Sequence, residues 1–199
     1  MLSMMKRSVM IAGILSMVFF ASPAGAQVAF GINAGAAFPV SDFGDIAKTG
    51  FGGGASVGTM ASDDIMIKLD GNYWSFTSED VPISGFGTVE LSAGIASIRV
   101  GMRKYWGESR RFFTGPNLGI YIPANDISDL DSKFGIGPQI GYRFPLESGG
   151  SIDLMAEFQT IFIGDESPLA DSEDRVLFDS DKLSFFTLGI GYTFGGIGR

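Results

Sequence analysis

The stretch IMIKLDGNY, residues 65–73, alternates strictly between apolar and polar side chains. Ile65, Ile67 and Leu69 fall on one face, whereas Lys68 and Asp70 fall on the other. A period of two residues is the signature of a β-strand with one apolar face. This stretch therefore predicts a strand, and the same pattern recurs along the chain.

Eight runs alternate in this way. They cover residues 28–38, 50–60, 65–73, 88–105, 112–122, 134–144, 151–162 and 183–194. In the fourth run the apolar face changes from odd to even positions near Ala96, which predicts a β-bulge there. Pro116 and Pro138 interrupt the fifth and sixth runs, and because proline cannot donate a ladder hydrogen bond, bulges are expected to accommodate them as well.

The composition agrees with an all-β fold. The chain has 29 glycines and 13% aromatic residues, and glycine weakens helices while aromatics favour pleated surfaces. It has no cysteine, so no disulfide can stabilise it. Beyond the N-terminal segment, no stretch reaches the roughly 20 apolar residues of a membrane-spanning helix. A chain of this kind can cross a membrane as a closed barrel.

The first 26 residues have the features of a secretory signal. Lys6 and Arg7 are followed by an apolar stretch at 9–20 and by small residues at 24–26. We expect cleavage after Ala26, which leaves residues 27–199 as a single domain. An uncleaved transmembrane helix is the alternative, but the apolar core is short for one.

The connections between the runs fall into two classes. The turns at 61–64, 106–111 and 145–150 are short, whereas the connections at 39–49, 78–87, 123–133 and 163–182 are long. Short turns on one rim and long loops on the other are typical of outer-membrane barrels. The pattern predicts an eight-stranded antiparallel up-and-down transmembrane β-barrel in a bacterial outer membrane, with extracellular loops and periplasmic termini.

A soluble secreted barrel that binds an apolar ligand would alternate in the same way. Two features favour the membrane barrel. The polar face is rich in glycine with a few long charged groups, as expected of a narrow interior, and aromatic residues gather near the ends of the runs, where barrels carry aromatic girdles.

The segments GINAGAAFPVSDFGD (31–45) and FFTLGIGYTF (185–194), with a repeated G-x-G pattern, resemble the small eight-stranded outer-membrane barrels of OmpA and OmpX type. The resemblance covers essentially all of residues 27–199. It implies that the barrel-assembly machinery recognises the last strand through Gly189, Gly191, Tyr192 and Phe194. The chain departs from that pattern in one respect, because residues 195–199 follow Phe194.

In a membrane barrel the apolar face of each strand points to lipid and the polar face points to the interior. Charged residues also occupy this inward face. Because buried charges are costly unless they are paired, we expect a network that plugs the lumen. The expected pairs are Arg143 with Glu157 or Asp153, and Lys68 or Arg99 with Glu90 or Asp70. The alternative is a gated small pore. The predicted network comprises Lys68, Asp70, Glu90, Arg99, Arg103, Arg143, Asp153 and Glu157.

The long loops hold most of the acidic residues, and the formal net charge is -8. This charge argues against nucleic acid as a partner. The loops are interpreted as a solvated rim, or alternatively as sites for divalent cations that bridge to anionic glycolipid, with Asp126, Asp129 and Asp131 as the best candidates. Outer-membrane lipid and glycolipid are the expected partners of a monomeric barrel.

The chain has no histidine, the usual general base at neutral pH, and we predict that it is not an enzyme and carries no cofactor. A serine–lysine or paired-carboxylate site remains a formal alternative. The functional hypothesis is a barrel with a role in envelope integrity or surface interaction. The alternative is a channel for small solutes or a transporter of hydrophobic compounds.

Overall fold

The computed structural model describes residues 28–45, 47–77, 81–83, 87–89, 92–124, 132–162 and 182–194. Ten β-strands and one short 3-10 helix, Ser41–Phe43, lie within them. The strands are β1 Val28–Val40, β2 Gly50–Met60, β3 Ile65–Thr77, β4 Val81–Ile83, β5 Gly87–Val89, β6 Ser92–Trp106, β7 Phe112–Ala124, β8 Lys133–Pro145, β9 Ser151–Phe162 and β10 Lys182–Phe194.

The eight long strands form a closed antiparallel barrel. Each pairs with its neighbours along the chain, and β1 pairs with β10 to close the sheet. Closure leaves no long strand with an unpaired edge, and this is the condition a sheet must meet in hydrocarbon. The predicted fold class, an eight-stranded antiparallel up-and-down barrel, is confirmed. β4 and β5 pair separately as a two-stranded sheet.

The predicted bulge near Ala96 is wrong. β3 and β6 pair without interruption from Ile65↔Lys104 to Thr77↔Ser92. Odd positions of β6 face inward along its length, and Ile95 is only 2% exposed. Ile95 points into an apolar layer of the interior, so its apolar side chain made the outward face of the run seem to change from odd to even positions. The predicted run at 88–105 also began too early, since residues 87–89 form β5.

The expectation of bulges at Pro116 and Pro138 is wrong, because the two prolines are direct partners across β7 and β8 and no register shifts around them. The pairing of β6 with β7 and of β8 with β9 has a gap at the same level. Pro116 therefore has no ladder partner on β6, and Pro138 has none on β9. A missing N–H costs least where ladder pairing is absent.

The barrel exposes apolar side chains outward and buries charge inward. Leu188 is 48% exposed, whereas Lys68 and Arg143 are 6% and 5% exposed. Exposed aromatic side chains form two bands near the strand ends, as the membrane interfaces favour. They include Phe38, Phe51, Tyr73, Phe134 and Phe162 towards the long connections, and Phe30, Trp106, Phe112, Tyr142, Phe144 and Phe194 towards the short turns.

Within the described residues, no helix is long and apolar enough to cross a bilayer.

Candidate functional site in the barrel interior

Arg99 on β6 joins two walls of the barrel. Its Nε and Nη2 donate to Oδ1 of Asp70 on the adjacent strand β3, at 2.8 and 2.5 Å. Its Nη1 donates to Oε1 of Glu157 on β9 at 2.6 Å. Strands β7 and β8 lie between β6 and β9 in the sheet, so this second bond spans the interior. Lys68 approaches the other oxygen of Asp70 with its Nζ at 2.8 Å.

Asp153 on β9 is the centre of a second ionic group. Arg143, its cross-strand partner on β8, donates from Nε to Oδ1 at 3.0 Å. Arg103 on β6 donates from Nη1 to Oδ2 at 2.9 Å, again across the interior. The hydroxyls of Ser151 and Thr193 also donate to this carboxylate, at 3.3 and 3.4 Å. Charge-assisted bonds of this kind are stronger than bonds between neutral groups.

Two buried amides connect the ionic groups. Asn117 donates from Nδ2 to Glu157 at 2.6 Å, and Gln139 donates from Nε2 to the Asn117 oxygen at 2.9 Å. Arg103 then donates from Nε to the Gln139 oxygen at 3.2 Å. Asn117 and Gln139 are absent from the network predicted from the sequence, although both are buried at inward positions. A polar amide on the inward face of a predicted strand is the signal that could have identified them.

An aromatic cluster lies on the long-loop side of the network. It comprises Ala37, Phe43, Ala47, Trp74, Phe76, Ile95, Tyr121, Ile161 and Phe185. Phe43 reaches it from the 3-10 helix after β1, where Ser41 adopts a left-handed φ of 55°. Its ring packs edge-to-face on Phe76 at 5.1 Å. The first long connection therefore folds one aromatic side chain back into the barrel.

A smaller apolar cluster lies on the short-turn side and comprises Ala29, Met66, Tyr105 and Phe113. Two of the three arginines of the network lie over its rings, with Arg103 4.4 Å from the centre of Phe113 and Arg143 4.5 Å from that of Tyr105. Cation–π contacts of this kind are strengthened by desolvation. The ionic network is thus held between two apolar clusters.

A cavity of about 50 Å³ remains beside the network. Lys68, Arg99 and Glu157 border it on one side. The opposite wall belongs to β1, β2 and β10, where inward glycines leave space that larger side chains would fill. The polar residues of that wall are Asn33, Ser56, Thr187 and Thr193.

Seven residues of the predicted charge network lie together in this interior: Lys68, Asp70, Arg99, Arg103, Arg143, Asp153 and Glu157. The eighth, Glu90, lies outside the described residues, as do the loop candidates Asp126, Asp129 and Asp131. Of the two partners considered for Arg143, the structure pairs it with Asp153. Of the residues assigned to assembly, Gly189 and Gly191 face the interior and Phe194 faces outward at the end of β10.

A turn-side ion pair lies outside the interior. Asp64 accepts a hydrogen bond from Lys104, and this bond holds the pKa of Asp64 below its ordinary value. Both side chains are partly exposed, so the pair contributes little to stability.

A comparison of the sequence with known families agrees with the closed barrel. Residues 12–194 match the outer membrane protein beta-barrel domain. The chain belongs to this family. It is therefore a protein of the bacterial outer membrane, and members of the family are generally structural or channel proteins. No curated protein sequence is significantly similar to the chain.

Several solved barrels share the fold at low sequence identity. Neisserial surface protein A superposes with a TM-score of 0.59 at 16% identity, covering 85% of this chain and 98% of that one. The outer membrane protein AlkL gives 0.51 at 14% identity, covering 87% and 91%. Ail of Yersinia pestis, solved with the heparin analogue sucrose octasulfate, gives 0.50 at 14%, covering 86% and 100%. At these identities the likeness concerns the fold alone.

Proposed function

We propose that this protein is a non-catalytic outer-membrane barrel whose lumen is plugged, and that it serves envelope integrity or surface interaction. The observation that supports the proposal is the pair of ionic contacts across the interior, Arg99 to Glu157 and Arg103 to Asp153, at 2.6 and 2.9 Å. A solute entering the barrel would have to separate these charges. Breaking a buried ion pair costs about 3–5 kcal/mol when one charge is left unpaired.

The apolar clusters support the same proposal. A hydrated ion that passed the ionic layer would still have to cross the rings of Phe43, Phe76 and Phe185 on one side. On the other side it would meet Tyr105 and Phe113, which pack edge-to-face with their ring centres 5.8 Å apart. The interior of a barrel of about eight strands is just wide enough for side chains to fill it.

The remaining parts of the proposal come from the sequence. A signal peptide at residues 1–26 would be removed on export, the long loops would be extracellular, and both termini would be periplasmic. The acidic loops would contact the surface environment, in which outer-membrane lipid and glycolipid are the expected partners. The barrel-assembly machinery would insert the protein as a monomer through its last strand, and no cofactor would be needed.

Planar-bilayer conductance tests the plug. We expect no steady single-channel currents from the folded protein, because the cross-lumen pairs and the apolar clusters close the path. A variant with Arg103→Ser, Arg143→Ser and Asp153→Ser removes three large side chains without leaving an unpaired charge among them. Once heat-modifiable gel mobility confirms its folding, it should also stay closed, because the Arg99–Glu157 contact and the rings of Phe43, Phe76 and Phe185 still lie across the path.

Steady currents from the unmodified protein would contradict the proposal and favour the alternative, a channel for small solutes. The other alternative, transport of hydrophobic compounds, is tested by uptake of an apolar fluorescent probe into vesicles. Uptake faster than in protein-free vesicles would support it. Uptake that no barrel variant alters would count against it.

A further inference from the structure

The charges of the described interior do not balance. Lys68, Arg99, Arg103 and Arg143 are buried there. The buried or largely buried carboxylates among the described residues are Asp70, Asp153 and Glu157. Four cations therefore face three anions. An uncompensated charge inside a protein is costly, so a counter-charge is expected close by.

Lys68 is the cation with the fewest acceptors. Arg99 has two carboxylates, and Arg103 and Arg143 share Asp153. The contact of Lys68 is with Oδ2 of Asp70, whose Oδ1 already accepts from Arg99 and Asn72. An ammonium group carries three donors, and one carboxylate oxygen satisfies one of them.

Lys68 also borders the cavity of about 50 Å³. One water needs roughly 10–15 Å³ of space of this kind, so the cavity is large enough for a species of that size. The carboxylates of the network line the cavity too, and the hydroxyls of Thr187 and Thr193 donate to the backbone oxygen of Glu157 and to Asp153. The side chains of Asn33, Ser56 and Asn72 on the lining have donors that can point to an anion. The glycines of β1 and β10 keep the space open, since a Cβ at Gly31 would lie 2.6 Å from Oγ of Ser56.

We propose that the lumen binds one small monovalent anion of chloride size beside Lys68, as the fourth negative charge of the network. The cavity supplies the volume, Lys68 the charge and its neutral neighbours the remaining donors. This inference goes beyond the proposed function, because a bound halide is compatible with a conducting or a closed barrel.

Anomalous scattering from bromide is the direct test. The full protein would be crystallised from detergent in bromide and compared with Lys68→Met and with Lys104→Met, the matched control that removes the same charge outside the interior. Lys68→Met should fold, because Asp70 keeps both bonds from Arg99. We expect one bromide peak in the cavity of the unmodified protein and of Lys104→Met, and none in Lys68→Met.

Thermal unfolding gives a second readout that needs no crystal. Replacing gluconate, an anion much larger than chloride, with chloride at equal ionic strength should raise the unfolding midpoint of the unmodified protein and of Lys104→Met. The midpoint of Lys68→Met should not respond, since its interior charges already balance. A ligand that binds only the folded state stabilises it in this way.

Three results would overturn the proposal. The first is a cavity without bromide in the unmodified protein. The second is a peak that persists in Lys68→Met, which would mean an adventitious ion only. The third is an equal response of all three proteins to chloride, which would reflect a general salt effect. None of these results bears on the conductance test, so the two proposals can fail separately.

Discussion

Asp153→Asn is expected to lower the free energy of unfolding by about 3–5 kcal/mol. The carboxylate accepts from Arg143 at 3.0 Å and from Arg103 at 2.9 Å, and it is 2% exposed. An asparagine of the same size cannot neutralise them, so two buried guanidinium groups would face each other without an anion. Urea unfolding in phospholipid vesicles, followed by tryptophan fluorescence, measures the loss.

Two further variants test whether the unpaired guanidinium groups cause this loss of stability, or whether removing any carboxylate or any packing would cause it. Asp64→Asn removes a carboxylate from an exposed turn-side pair and should change stability little. Replacing all three charged residues with apolar ones, by Asp153→Leu, Arg103→Met and Arg143→Met, should recover most of the lost stability, because no buried charge is left unpaired. Equal stability of Asp153→Asn and the unmodified protein would contradict an inward, doubly paired Asp153.

The sequence was sufficient to predict the barrel because alternation survives in nearly every strand. For Arg143 the sequence limits the expected partner to Glu157 or Asp153, and the register that the short turn sets between β8 and β9 makes it Asp153. The bonds from Arg99 to Glu157 and from Arg103 to Asp153 could not be predicted. They join strands that are not neighbours, and the alternation pattern does not tell which inward side chains meet across a barrel.

The interior clusters escaped prediction for a related reason. An apolar residue on a strand is expected to face lipid, which holds for Ile67 and Leu188, but Ile95 and Phe185 point inward. Period-two patterns separate two faces and do not reveal which layer of the interior is apolar. The fold of the first long connection, which brings Phe43 into the barrel, depends on tertiary contacts that strand periodicity does not contain.

Leu188→Arg is expected to destabilise the protein by about 2–4 kcal/mol in a lipid bilayer. Leu188 lies at the middle of β10 and is 48% exposed on the outer face, between Ala36 and Ala156 of the adjacent strands. A guanidinium group at this height would sit in hydrocarbon, away from both interfaces. Unfolding in vesicles would again measure the change in free energy.

The matched control is Leu146→Arg, because Leu146 is an exposed leucine in the turn between β8 and β9. At the interface the same substitution should cost roughly 0–1 kcal/mol. The comparison separates depth in the membrane from the loss of a leucine. If the two variants were equally stable, the outer face at Leu188 would be in contact with water. Contact with lipid would then not be the reason for the apolar outer face. A soluble barrel with the same alternation would account for the chain better.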